Sequence, residues 1–181
     1  QMLQDYEILE CLSGQSEASN QPNLYTVFRA QHKEFKATEV AIKRLSDFFL
    51  SEQRVYAQEI AKRMRYAMEL LAGIPYIPPI IQIVEKEIQS NRTVAFTIMQ
   101  YLPGETLSEA LALKKIQKNP FSLEEILEIM KKLAQVLSFM HEKNIVHRGV
   151  TPANILIHRP LASFYLLGFG YTNILDLSDL D

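Results

Sequence analysis

From Tyr6 to Leu12 apolar and polar residues alternate weakly, which predicts a strand. The polar stretch from Ser13 to Asn23, with Gly14, Asn20 and Pro22, predicts a loop. Leu24-Tyr25-Thr26-Val27-Phe28-Arg29-Ala30 is rich in β-formers and predicts a second strand. After a charged turn from Gln31 to Thr38, Glu39-Val40-Ala41-Ile42-Lys43 predicts a third. The period then changes. Between Ser51 and about Leu71, Tyr56, Ile60, Met64, Ala67 and Leu71 recur at helical spacing, and Gly73 and Pro75 end the helix. Ile80 to Ile88 and Thr93 to Met99 read as a hairpin across Ser90-Asn91, and Pro103-Gly104 breaks the chain after it.

Helical spacing dominates the remainder of the chain. A short helix is predicted from Leu107 to Ile116. A longer one starts at Ser122-Leu123-Glu124-Glu125, a serine followed three residues later by a glutamate, the spacing of a capping box. Ile126, Met130, Leu133, Leu137 and Met140 continue one face from there. Pro152 bars a helix through the next loop, and two short strands, Ile155 to His158 and Phe164 to Leu167, flank Arg159-Pro160. Three strands, a helix, two strands and then mostly helices make an α+β chain. Residues 1–102 form a sheet-rich part and 103–181 a helical part, with Pro103-Gly104 as the hinge.

Composition narrows the class without naming it. The 181 residues, 48% hydrophobic and 22% charged, are those of a globular domain. A net charge of −2 gives no field for nucleic acid or an anionic membrane. Cys11 is the single cysteine, so an internal disulfide and a cysteine-rich zinc site are excluded, and a reducing, cytoplasmic setting suits the chain. No apolar run reaches membrane-spanning length. His32, His141 and His158 are scattered without metal-ligand spacing, and Asp176, Asp179 and Asp181 form a mild acidic end. The chain opens on Gln1 rather than methionine, which reads as a piece of a longer protein.

Several motifs, in order, resemble those of the eukaryotic-type Ser/Thr protein kinases. Val40-Ala41-Ile42-Lys43 resembles that family's V-A-I-K strand, and His147-Arg148, with Asn154 further on, resembles its H-R-D-L-x-x-x-N catalytic loop. Phe96-Thr97-Ile98-Met99-Gln100-Tyr101-Leu102 is similar to its strand and hinge, and Gly168-Phe169-Gly170 to its D-F-G. The resemblance implies a two-lobed fold, with an antiparallel five-stranded N-lobe carrying one helix and the beginning of a helical C-lobe. It also implies a nucleotide cleft. Lys43 would meet phosphates and pair a helix glutamate, Glu59, with Glu69 as the alternative; Glu52 lies on the same predicted helix. Met99 would gate the rear of the pocket, Gln100, Tyr101 and Leu102 would offer backbone groups to a purine, and Asn154 would complete the cofactor-binding set.

The departures from the pattern decide the expected function. Gly149 stands at the catalytic-base aspartate and Gly168 at the metal-binding aspartate. Thr151 replaces the lysine two positions after the base, and Tyr25 stands where the last glycine of the phosphate-covering loop belongs, with Gly14 alone near its start. General-base help is worth about 10²–10⁴-fold, and a bridging metal several kcal/mol, so both carboxylates matter. The resemblance therefore implies a catalytically degraded member, a pseudokinase, with no catalytic residue, no Mg²⁺ site and weak or no ATP binding. It would act as a regulatory or protein-interaction module, docking a protein partner such as an active kinase or other domains of a longer chain. An alternative is a nucleotide-binding transferase that recruits another carboxylate, such as Glu59, Glu69 or Asp176; a metal-independent nucleotide sensor is a further one. Gly149 and Gly168 taken as plain turn glycines would leave the order of the motifs unexplained.

Overall fold

The computed structural model describes residues 2–13, 25–45, 62, 65–88, 92–158, 163–169 and 172–174. These divide into two compact units: residues 1–66 with 79–102, and residues 67–78 with 103–181.

The first unit is a five-stranded antiparallel sheet in the order β1-β2-β3-β5-β4. Its strands are β1 (Tyr6–Ser13), β2 (Tyr25–His32), β3 (Glu39–Leu45), β4 (Ile80–Ile88) and β5 (Arg92–Gln100). The expected strands are all present, each within one or two residues of the pattern. The turn at Ser90-Asn91 lies outside the described residues. Cross-strand register sorts the side chains by face. Ala30 pairs Val40 and Ile42 pairs Ile98, and these four form a buried cluster against Tyr6, Val84 and Phe96. The neighbouring positions, one residue along each strand, point to the opposite face. There Val27, Lys43, Thr97 and Ile83 make one cross-strand row, and Arg29, Ala41, Met99 and Ile80 the next.

Charge binds the hinge end of this sheet. The Arg29 guanidinium donates to both carboxylate oxygens of Glu39 at 2.9 Å and to Glu10 at 2.9 Å. It also lies 4.6 Å from the centre of the Tyr101 ring. The two carboxylates, Glu39 first, strengthen the guanidinium's hold on its proton. The Tyr101 N–H donates to the Glu39 carbonyl at 3.2 Å, so one residue fixes both the cation and the chain beneath it.

The second unit is mostly helical. Residues 65–71 are helical, with Ala67, Met68 and Leu71 buried; the rest of the helix expected from Ser51, apart from residue 62, lies outside the described residues. Helix α1 (Leu107–Ile116) starts at a capping box of Thr106 and Glu109, and α2 (Leu123–Glu142) at one of Ser122 and Glu125. Glu125 also lies 3.5 Å from the buried Lys114 ammonium of α1. Lys114 in turn sits 4.4 Å from the Phe121 ring centre.

The buried stripe of α2 differs from the one its sequence suggests. Ile129, Val136 and Met140 are buried, whereas Ile126 and Met130 are exposed, at 45% and 56%. Apolar residues cover about half the circumference of this helix, and the buried residues lie toward one edge of that wide face, which periodicity alone does not select. Two small sheets complete the described part of the unit: β6 (Glu105–Thr106) with β8 (Ile155–His158) and β9 (Ser163–Leu166), and β7 (Ile145–Val146) with β10 (Asn173–Ile174). The break at Gly104 has a steric cause: a Cβ there would lie 2.7 Å from the Ile157 carbonyl oxygen.

Ser122→Ala removes the acceptor for the Glu125 N–H and is expected to lower stability by ~1 kcal/mol in urea unfolding. Bonding to the Ser122 N–H, ahead of the Lys114 charge, pulls the Glu125 carboxyl below its usual range. The stability it contributes is complete above the ordinary glutamate pKa and falls away as pH drops through the depressed folded value. Glu125→Gln should flatten that acid limb of the stability curve.

Candidate functional site

The loop after α2 is shaped by hydrogen bonds around one histidine. Lys143 caps the helix, Asn144 turns the chain at φ +57°, and β7 delivers His147, which is 1% exposed. The Gly149 N–H donates to His147 Nδ1 at 3.1 Å. A backbone amide can only donate, so Nδ1 carries no proton and Nε2 does. Nε2–H then donates to the Leu167 carbonyl at 2.8 Å. The Leu167 N–H donates to the Asn154 carbonyl at 2.7 Å, and Asn154 Nδ2 donates to the Gly149 carbonyl at 2.7 Å. The four residues close a circuit of hydrogen bonds. Phe169, itself buried, packs edge-on against the His147 ring at 5.1 Å.

This circuit brings together His147, Gly149, Asn154, Gly168 and Phe169, as the motif spacing led one to expect. Arg148 is exposed and holds φ +59°, unusual for a residue with a side chain. Thr151 is exposed at the start of the short 3-10 turn Pro152–Asn154. Gly170 and Asp176 lie outside the described residues.

The two glycines sit in unlike surroundings. A Cβ at Gly149 would meet its nearest neighbours at 3.6 Å, ordinary contact. A Cβ at Gly168 would meet the Asn154 carboxamide at 2.4–2.5 Å, and Gly168 holds φ +84°. The donor set for a divalent cation is correspondingly thin. Magnesium prefers carboxylate and phosphate oxygens in octahedral array. Here one carboxamide, already bonded through its nitrogen, faces two residues without side chains. Among the described residues no three His, Cys, Asp or Glu side chains are grouped to hold a metal. The residues present do not fit the family's magnesium.

The first unit, described by itself, carries the other residues singled out in the sequence. Lys43 is 9% exposed on β3, opposite Thr97 on β5 and Val27 on β2. Burial disfavours its charged form and lowers the amine to about 8. Met99 is half-buried one row along, opposite Ala41, so strand register alone puts Lys43 and Met99 on one face. Tyr101 and Leu102 are half-buried beyond the strand end. The Gln100 N–H is bonded to the Pro79 carbonyl at 2.9 Å and the Tyr101 N–H to Glu39. Of the hinge groups expected to meet a purine, these two donors are therefore committed within the unit. Glu52 and Glu59 lie outside the described residues; Glu69 is exposed on the helical turn 65–71.

Two features escaped the sequence pattern. Thr97 is 1% exposed and its Oγ1 has no hydrogen-bond partner among the described residues. In sequence it is only one more β-branched strand residue. Arg29 and Glu39 are ten residues apart, and nothing in a one-dimensional pattern marks them as partners before the β2–β3 register is known.

Comparison with known proteins agrees with the motif order. Residues 23–179 match the family model "Protein kinase domain". The chain is 35% identical over 151 residues to the phosphorylase b kinase gamma catalytic chain, liver/testis isoform, of Bos taurus, covering 81% of this chain and 33% of that one. It is 28% identical over 179 residues to the serine/threonine-protein kinase ULK3 of Xenopus laevis, covering 98% and 34%. It is 27% identical over 153 residues to a putative ribosomal protein S6 kinase alpha-2 of Caenorhabditis elegans, covering 83% and 18%. The chain spans about a third or less of the length of these relatives. By the extent of the family match, this chain belongs to the protein kinase domain family.

Proposed function

We propose that this kinase domain is a pseudokinase: it does not transfer phosphate, and it works as a regulatory or protein-docking module with weak or no ATP binding. The observation that carries the reading is the pair Gly149 and Gly168, residues without side chains at the two positions where the family's carboxylates act. A substrate hydroxyl has no base to accept its proton at position 149, a loss of about 10²–10⁴-fold. The phosphoryl oxygens have no metal-bearing carboxylate at 168, a loss of several kcal/mol of charge stabilisation. Removing members of one catalytic group is not additive, yet each loss acts in the same direction.

With the Gln100 and Tyr101 N–H groups already bonded, a purine is left with the carbonyls of this segment and with Leu102. Lys43, Asn154 and the buried His147 circuit then have a structural use, holding the loop and sheet in shape for a protein partner, such as an active kinase or further domains of a longer chain. No described helix is long and apolar enough to cross a membrane.

A second reading, a nucleotide sensor that needs no metal, draws on one observation: Lys43 remains, buried, with its amine lowered to about 8. One pair of measurements separates the two. Incubation with labelled ATP and Mg²⁺ or Mn²⁺ should leave no covalent label on this chain or on a general protein substrate above the no-protein control; stable label defeats the pseudokinase reading. A thermal shift with ATP that EDTA leaves intact and Lys43→Ala abolishes selects the sensor.

Lys43 should also show itself by pH. Acylation of its amine, followed by peptide mass analysis, should reach its half-maximal rate near pH 8, against the ordinary 10.5. The folded amine releases its proton before the unfolded one does. Between these values the unfolded state binds more protons, so the contribution of Lys43 to stability rises with pH. Below about 8 the penalty of burying the charge is fully present. Lys43→Met should remove that rise from the urea-unfolding curve.

A further inference from the structure

Asn154 is the residue on which both glycines converge. Its Nδ2 is 2.7 Å from the Gly149 carbonyl, and its backbone carbonyl accepts from the Leu167 N–H at 2.7 Å. Its carboxamide atoms also lie where a Cβ at position 168 would have to stand, at 2.4–2.5 Å. Real Cβ atoms essentially never make such contacts, so a side chain at 168 and Asn154 in its present place exclude each other. Nothing similar holds at Gly149, whose Cβ would find room.

We propose that Asn154 is redeployed in this chain as an internal staple that fills the side-chain space of position 168, so that the loop is closed to a divalent cation by packing as well as by a missing carboxylate. The staple has three parts. The amide nitrogen holds the Gly149 carbonyl, the carbonyl of Asn154 holds the strand end at Leu167, and the carboxamide body lies against the Gly168 backbone. With its amide nitrogen bonded inward, the residue has its side-chain oxygen alone to offer a cation, and one neutral oxygen does not hold magnesium or manganese. A carboxylate restored at 168 has to displace the staple before it can reach a metal. The inference rests on reading 149 and 168 as the family's carboxylate positions.

A double-mutant cycle tests it through stability. Gly168→Ala adds only the Cβ. In the parent chain it meets both the clash and the strain of φ +84°; in the Asn154→Ala background only the strain remains. The loss of thermal stability caused by Gly168→Ala should therefore fall by at least half in that background. Equal losses in the two backgrounds overturn the staple. In a second arm, Gly149→Asp and Gly168→Asp are each titrated with Mn²⁺ alone, followed by water-proton relaxation. Gly149→Asp should unfold close to the parent temperature, and Gly168→Asp well below it with no saturable Mn²⁺ site. A Gly168→Asp chain as stable as the parent, with a saturable Mn²⁺ site, overturns the proposal. Phosphotransfer by the parent chain would defeat the pseudokinase reading and leave the stability cycle unaffected, so the two can fail separately.

Discussion

The second unit depends on a ring nitrogen that must not carry a proton. His147 accepts from the Gly149 amide, which shapes the loop, and donates to the Leu167 carbonyl, which ties the loop to the residue after β9. Asn154 completes the circuit through its amide and its backbone carbonyl, so the bonds that shape the loop use no carboxylate. A catalytic loop of this family has two tasks, keeping its shape and presenting charge. Here the groups that keep the shape are in place, and glycines stand at 149 and 168, where the family's motifs have aspartates. On the proposed reading, that separation lets the chain keep a kinase's motif order with glycines at both positions.

The first unit shows the same economy at its hinge end. Arg29 is held by Glu39 and Glu10 and lies on the ring of Tyr101, while the Glu39 carbonyl receives the Tyr101 amide. A planar guanidinium suits this role, because it bonds in its plane and stacks on its face at once; an ammonium in its place would keep the charge and lose the geometry. The cluster shares a sheet face with Lys43 and Met99, so the positions expected to meet a nucleotide lie beside a polar network satisfied by the protein itself.

Most of the architecture was legible in the chain because local rules and packing agree. The strands alternate, the serine and glutamate of α2 have capping spacing, and Gly104 stands where backbone approaches backbone. The motif residues His147, Asn154 and Phe169 also met as their spacing suggested. What stayed hidden needed a third dimension. Within the wide apolar face of α2, Met140 is buried and Leu133 and Leu137 half-buried as the expected stripe had it, but Ile126 and Met130 are exposed, because the buried residues lie toward one edge of that face. The capping box of α1 was legible in Thr106 and Glu109 but lies behind a two-residue strand that no pattern marks. Thr97 gave no sign of its unsatisfied hydroxyl, because a threonine in a strand is ordinary until its neighbours are known. Gly149 and Gly168 looked equivalent in sequence, and only the position of Asn154 tells them apart.

That asymmetry between the two glycines bears on descent as well as on chemistry. A lineage can regain a lost residue only by passing through a chain that still folds. At position 149 a Cβ would make ordinary contacts at 3.6 Å, and at position 168 it would land on the Asn154 carboxamide at 2.4–2.5 Å. A step to aspartate at 168 therefore needs the Asn154 side chain to move with it, whereas a step to aspartate at 149 does not.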